Sequence, residues 1–249
     1  MARTRRNRRR RRGRFSFLLK LLAFLVAAAA AVAAITIFFR MDHIVVSGSE
    51  RYSEQEVLEA SGLATGGNLY FLDKFDVKER IFAQLPYVEE VKINRKLPDT
   101  LLIEVRECKA VAGVGSEEDA WLISEQGKLL EETALPEGFP LLTGVAPVDP
   151  VPSRQMDLGE AAAYRSLVAL TLLRESGARG MRENIGTIDL ADETALTFTY
   201  LGRFTVRFPW TADVGYKLES LSTVVDYLEN NETGLIDLMT EGKASFIPG

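Results

Sequence analysis

Histidine, cysteine and tryptophan are nearly missing from this chain, whose 249 residues contain one His, one Cys and two Trp. With Cys108 alone, no disulfide forms within the chain, so the fold has to be held by its apolar core. His43 has no Cys and no second His near it, and metal-ligand spacing is absent throughout, so no metal centre is expected. A G-x-x-x-x-G-K-[ST] phosphate loop is also lacking, and Gly66-Gly67 belongs to no dinucleotide fingerprint, which excludes a nucleotide cofactor held in the usual way. The residues assemble no set of nucleophile, base and orienting group. Asp73 and Asp76 lie close together, but beside a helix start, where capping is the expected duty. No catalytic residue and no cofactor is assigned, and the chain reads as a non-enzyme.

Acidic residues are absent from the first 40 positions. That segment holds eleven of the 30 basic groups and none of the 35 acids, so residues 41–249 carry 19 basic groups against 35 acidic ones, a net of −16. A body so acidic repels nucleic acid, which is not expected as a partner. Nine arginines before residue 15 run into a stretch, Leu21–Phe39, with no charge in its 19 residues. A helix rises 1.5 Å per residue, and about 20 apolar residues span a bilayer core. Phe15–Leu19 extend the run, and Lys20 near its end reaches the headgroups by snorkelling. Residues 1–14 are therefore expected to be a cytoplasmic basic tail and 15–40 a transmembrane helix. The excess of arginine on the N-terminal side places the rest outside the cell membrane. The alternative, a cleaved export signal, has A-x-A sites among the alanines of 27–34 to support it, but its apolar region is usually shorter than this one.

The body reads in two sections. In residues 41–108, IVVSG (44–48) is a strand ending in a turn. Ser53-Glu54-Gln55-Glu56 fits a capping box, and its helix should stop at Gly62. A glycine-rich loop follows, then a helix over about 76–84 with Val77, Ile81 and Leu85 on one face. Val91 and Ile93, then Leu101, Ile103 and Val105, alternate with polar neighbours around a Leu97-Pro98-Asp99 turn, a hairpin with one buried face. The order is β-α-α-β-β.

This order directly after a membrane anchor is that of a POTRA domain, and the chain resembles the FtsQ/DivIB cell-division family. The matching stretches are IVVSGSERYSEQEVLEASGL, GGNLYFLD, LPYVEEVKINRKLPDTLLIEVRE, FPLLTGV and TGLIDLMTEGKASFIPG, with the helix around Tyr216-Lys217-Leu218. Leu97 stands where the family often has Trp, and Ala110 where it often has Pro. The resemblance implies a divisome component in the cell membrane at the septum. It also implies binding to FtsB/DivIC-type and FtsL-type single-pass division proteins and, through them, regulation of the septal peptidoglycan synthase.

Residues 109–249 read as a C-terminal β domain with a mainly antiparallel sheet, making the whole an α+β protein behind one membrane helix. AVAGVG and AWLISEQGKLLEE suggest two strands, the second with a turn at 125–127. A helix is expected over 161–176 with Tyr164, Leu167 and Leu170 on a common face, ended by Gly177. GTIDL and TALTFTYLGRFTVRF give three strands. Asp213–Asn230 is a helix with Val214, Leu218, Leu221, Val225 and Leu228 in one stripe. LIDL and KASFIP are the last two strands. The closing segment Lys243, Ala244, Ser245, Phe246, Ile247 is either core completion or an open edge that takes a partner strand. The resemblance favours the edge, with Tyr216 and the cation of Lys217 flanking the same groove. Two other classes stand as alternatives: an exported carboxylate-dependent glycan hydrolase, and a receptor feeding an outer-membrane barrel. The barrel fails because too few strands follow the POTRA-like section.

Overall fold

The computed structural model describes residues 11–249, with side chains from Ser16 onward. Residues 1–10, most of the arginine run and of the expected cytoplasmic tail, lie outside the described residues, and residues 11–14 of that tail are helical. The folded chain divides into two compact units, one of residues up to Lys78 with Val91–Val105, the other of Glu79–Glu90 with Arg106–Gly249.

In the first unit, helix α1 (Arg11–Phe38) contains a 23-residue stretch, Ser16–Phe38, long and apolar enough to cross a membrane, with none of its apolar window buried. Strand β1 (His43–Ser47) follows, and α2 (Glu54–Ser61) starts in the expected capping box. The Ser53 hydroxyl accepts from the Glu56 amide at 3.2 Å, and the Glu56 carboxylate accepts from the Ser53 amide at 2.7 Å. The Ser53 hydroxyl also donates to the Glu56 carboxylate at 2.7 Å, and this bond, with the one from the Ser53 amide, holds the Glu56 carboxyl below the usual carboxylate range. Gly62 ends α2 in the left-handed region, φ 63°, as predicted. Helix α3 (Lys74–Gln84) begins two residues earlier than its periodicity indicated, because the Asp73 carboxylate accepts from the Phe75 amide at 2.9 Å.

Strands β2 (Val88–Lys96) and β3 (Thr100–Glu107) form the hairpin, and the sheet order is β1-β3-β2 with β1 parallel to β3. The alternation is as read: Val91, Ile93, Leu101, Ile103 and Val105 are buried, and Leu102 is half-buried on the other face. Gly48 closes β1 at φ +87°, where a Cβ would collide with the Val105 carbonyl oxygen, so only glycine fits.

The second unit is built on one nine-stranded sheet of order β12-β11-β10-β9-β8-β7-β4-β5-β6. Its strands are β4 (Ala110–Gly115), β5 (Ala120–Ser124), β6 (Leu129–Thr133), β7 (Leu141–Thr143), β8 (Ile185–Asp189), β9 (Ala195–Tyr200), β10 (Phe204–Pro209), β11 (Gly234–Asp237) and β12 (Ser245–Pro248). Five pairings are antiparallel, and β4–β7, β7–β8 and β10–β11 are parallel. The segment AWLISEQGKLLEE is two strands, since Gly127 turns the chain at φ +80° between them. Three-residue β7 escapes a period-two reading because it is too short to show one.

Helices α4 (Ala163–Ala178) and α5 (Val214–Tyr227) share one core with the sheet, in which Leu172, Leu218 and Leu221 meet Ile123, Phe198 and Phe208. Each such side chain taken from water stabilises the fold by about 1.5–3 kcal/mol. In α5 the predicted stripe faces this core. In α4 the predicted face is wrong: Tyr164 and Leu167 are exposed, and the buried side carries Val168, Ala169, Leu172, Leu173 and Ser176. Small residues on that side let the helix pack closely, and the pattern of large apolar residues concealed it. Gly177 does not end α4, which runs one residue further.

Candidate functional site

Strand β12 is the terminal strand of the nine-stranded sheet and, among the described residues, has a hydrogen-bonded neighbour on one side only. It pairs with β11 in the register Leu235↔Ile247, Ile236↔Phe246 and Asp237↔Ser245. Beyond the strand, the Gly249 amide donates to the Thr233 carbonyl at 2.9 Å. Bonded and non-bonded pairs alternate along an antiparallel ladder. The pairs 235/247 and 237/245 are therefore the bonded ones, and the backbone N–H and C=O of Phe246 point away from β11, toward the open edge. Pro248 occupies the next outward position and has no N–H to offer, which shortens the edge available to another chain. Gly234, at φ +147°, lets β11 begin directly against β12, since a Cβ there would collide with the Ile247 carbonyl.

The side chains of β12 divide between two faces. Phe246 is half-buried and meets Phe204 edge to face, with ring centroids 6.0 Å apart. Ile247, on the opposite face, is 52% exposed. Lys243 and Ala244 are exposed in the turn that leads in, and Ser245 is half-buried. One side chain of this segment packs on the core, and among the described residues no strand lies on its outer backbone side.

Tyr216 and Lys217 lie in the first turn of α5, whose N-cap is Asp213; its carboxylate accepts from the Tyr216 amide at 2.9 Å. The two residues line a cleft of about 710 Å³ together with Pro209, Met239, Glu241 and Gly242, the last two in the turn before β12. Tyr216 is exposed there. Lys217 is not the free cation that the sequence reading expected. It is buried, and its Nζ donates to the carbonyls of Leu238 at 2.5 Å and Thr240 at 3.3 Å. The outgoing end of β11 has carbonyls with no strand to receive them, and the ammonium satisfies these instead of a partner's carboxylate. The exposed cation at this edge is Lys243.

Met239, Glu241 and Arg203 escaped the sequence reading. The Arg203 guanidinium donates to the Glu229 and Glu232 carbonyls at 2.6 and 2.9 Å and lies over the Phe204 ring at 4.3 Å, fixing the loop from which β11 starts. Only its place in a tight turn, Leu201-Gly202-Arg203, marked it in the sequence.

A second cleft, of about 700 Å³, lies between α4 and α5 and contains carboxylates. Glu175 is engaged by Arg179 at 2.6 Å, and Asp213 by its capping role. These two carboxylates are committed to structure, and Glu219 is the third on this cleft.

Residues 39–107 match the family model described as "POTRA domain, FtsQ-type". Among curated relatives, the cell division protein DivIB of Clostridium botulinum (strain Hall) is 24% identical over 216 residues, covering 84% of this chain and 82% of that protein. DivIB of Clostridium botulinum (strain Loch Maree) is 35% identical over 95 residues, 38% of this chain and 37% of that one. The cell division protein FtsQ of Corynebacterium glutamicum is 25% identical over 154 residues, 62% of this chain and 64% of that one.

Proposed function

We propose, because this chain belongs to the FtsQ/DivIB family of bacterial cell-division proteins, that it is a membrane-anchored scaffold that acts by binding and carries out no chemistry of its own. Its division role follows from the family. The finer reading is that residues 1–14 are cytoplasmic, that 15–40 cross the cell membrane once, and that a POTRA domain (41–108) and a β domain (109–249) work on the outer side at the septum. There the β domain receives a strand from an FtsB/DivIC-type partner, with an FtsL-type protein in the same complex, and the assembly regulates the septal peptidoglycan synthase.

One observation supports this reading above the others: β12 closes the sheet with an unpaired outer side, and the Phe246 backbone is turned toward it. Main-chain pairing supplies affinity in such an arrangement, and the neighbouring side chains supply selectivity. Ile247 on one face, Lys243 at the entry and Tyr216 in the adjoining cleft are placed to do this.

The test is a single-atom change. Semisynthesis replaces the Phe246 amide by an ester, which removes one outward N–H and leaves every side chain in place. Affinity for the extracytoplasmic segment of the FtsB/DivIC-type protein should fall about twofold to tenfold, a net hydrogen bond contributing about 0.5–1.5 kcal/mol. Unchanged affinity, with an unchanged circular dichroism spectrum, places the partner elsewhere. Proline at Ser245 is a poorer probe, because that amide faces β11.

A further inference from the structure

The loop between α2 and α3 is tied to the end of the apolar helix. The Asn68 side-chain amide donates to the carbonyls of Ile35 and Thr36, both at 3.3 Å, which are among the last carbonyls of α1. The Leu69 amide donates to the Phe39 carbonyl at 3.0 Å, and the Tyr70 ring packs on Phe39 with centroids 4.8 Å apart. From the other side, Arg95 of β2 donates to the Leu69 and Leu72 carbonyls at 2.5 and 3.5 Å, and Lys74 donates to the Ile93 carbonyl at 2.6 Å. The loop is thus held at the level of the helix's last turn, and its position along the helix axis is set.

Here the loop and the first turn of α3 present large apolar side chains to the outside. Phe71 is 72% exposed and Phe75 69%, and Tyr70 beside them is exposed as well. Exposed Leu97, in the hairpin turn, lies at the same end, since the adjacent Asp99 carbonyl accepts from the amides of Asp42 and His43. In water, such a cluster on a strongly acidic body is unfavourable. At the depth of the last turn of a membrane-crossing helix it meets the headgroup region, where aromatic rings are favoured.

We propose that Tyr70, Phe71 and Phe75 seat the POTRA unit in the outer interface of the membrane, so that this unit is held against the lipid by the Asn68 contact and the aromatic loop together. The occupant of the patch is the lipid interface. Charged residues near these positions in the sequence carry both signs, Arg40 pairing with Asp42 at 3.4 Å, so apolar insertion drives the seating and anionic headgroups are not required. This inference rests on the reading of α1 as a membrane span.

The experiment uses the full chain in lipid nanodiscs, with Cys108→Ser and one nitroxide label at a time on Phe71→Cys or Phe75→Cys. Val26→Cys, in the middle of α1, gives the hydrocarbon standard, and Glu118→Cys, in an exposed turn, the aqueous one. Oxygen and a water-soluble nickel chelate report depth by paramagnetic relaxation. The expected result is an oxygen-to-nickel accessibility ratio at 71 and 75 severalfold above that at 118 and below that at 26, the same in zwitterionic and in anionic lipid. A ratio at 71 and 75 equal to that at 118 overturns the proposal. Shielding from both reagents overturns it in favour of a protein contact, and insertion only with anionic lipid overturns it in favour of headgroup binding. If the label at 26 itself reads as aqueous, the membrane reading of α1 fails, an outcome distinct from failure at the loop alone.

Discussion

The ammonium of Lys217, in the first turn of α5, donates to the carbonyl of Leu238 at 2.5 Å, just past the end of β11. This bond, with its companion to Thr240, links the helix to the turn that delivers β12. Without the ammonium the buried Leu238 carbonyl is left unpaired, at a cost of about 1–3 kcal/mol. Lys217→Ala is therefore expected to destabilise the β domain by about 1–3 kcal/mol in urea unfolding and to weaken partner binding through loss of the β12 position. A variant as stable as the parent would show that the bond is dispensable.

The POTRA core gives a second prediction. Ile81 and Ile103 are fully buried, and Leu102 is half-buried on the opposite face of β3. Ile81→Ala and Ile103→Ala should each cost about 2–4 kcal/mol, the usual effect of truncating a buried aliphatic side chain, and Leu102→Ala distinctly less. Denaturant midpoints of the three variants decide the matter, and equal losses at 102 and 103 would contradict the strand register.

Cys108 is half-buried, its thiol donating toward the Tyr87 carbonyl at 3.4 Å. Burial pushes its pKa up, the Glu89 carboxylate pushes the same way, and Lys128 opposes them. The raised pKa favours the protonated thiol in the folded state. Its contribution to stability is present below the unfolded thiol pKa and is lost as pH rises through the folded one. Iodoacetamide at pH 8 should accordingly label Cys108 more slowly in the folded chain than in urea. Equal rates, corrected for urea's effect on a free thiol, would show that the site does not suppress the thiolate.

The capping box predicts the reverse dependence on pH at α2. The Ser53 hydroxyl and amide both hold Glu56 in its charged form, so its pKa is lowered on folding. The stabilisation is present above the unfolded carboxyl pKa and fades as pH falls through the folded value. In a carbon-detected NMR titration Glu56 should therefore titrate at lower pH than it does in Ser53→Ala. Coincident midpoints would mean that the cap is not formed in solution.

What was legible in the sequence was local. The Ser53–Glu56 box, the alternation of Leu101, Ile103 and Val105, and the stripe Val214–Leu218–Leu221 each rest on residues a few positions apart whose period declares the element. The elements that escaped depended on distant chain. Lys217 reads as a solvent-facing cation until carbonyls more than twenty positions later arrive beside it. The buried side of α4 is built from Val168, Ala169 and Ser176 as much as from leucines, so size alone pointed to the wrong face. Asn68 looked like one more polar residue of a glycine-rich loop, because its partners lie 32 and 33 residues away on α1. For the candidate site, the strand was readable from the final segment, whereas its place at the end of the sheet and the outward direction of the Phe246 backbone required the pairing with β11.

The parallel pairing of β1 with β3 has a mechanical consequence. The register runs from His43↔Thr100 to Ser47↔Glu104, so the two strands start at the same end. Chain from α1 enters β1 at the His43 end, and chain toward the rest of the protein leaves β3 at the opposite end. A pull between the membrane and a partner held further along the chain would drag the two strands lengthwise past each other. All the ladder bonds between them would then share the load and have to break together, instead of opening one after another as in a peeled hairpin. This is the geometry of a tether that resists force.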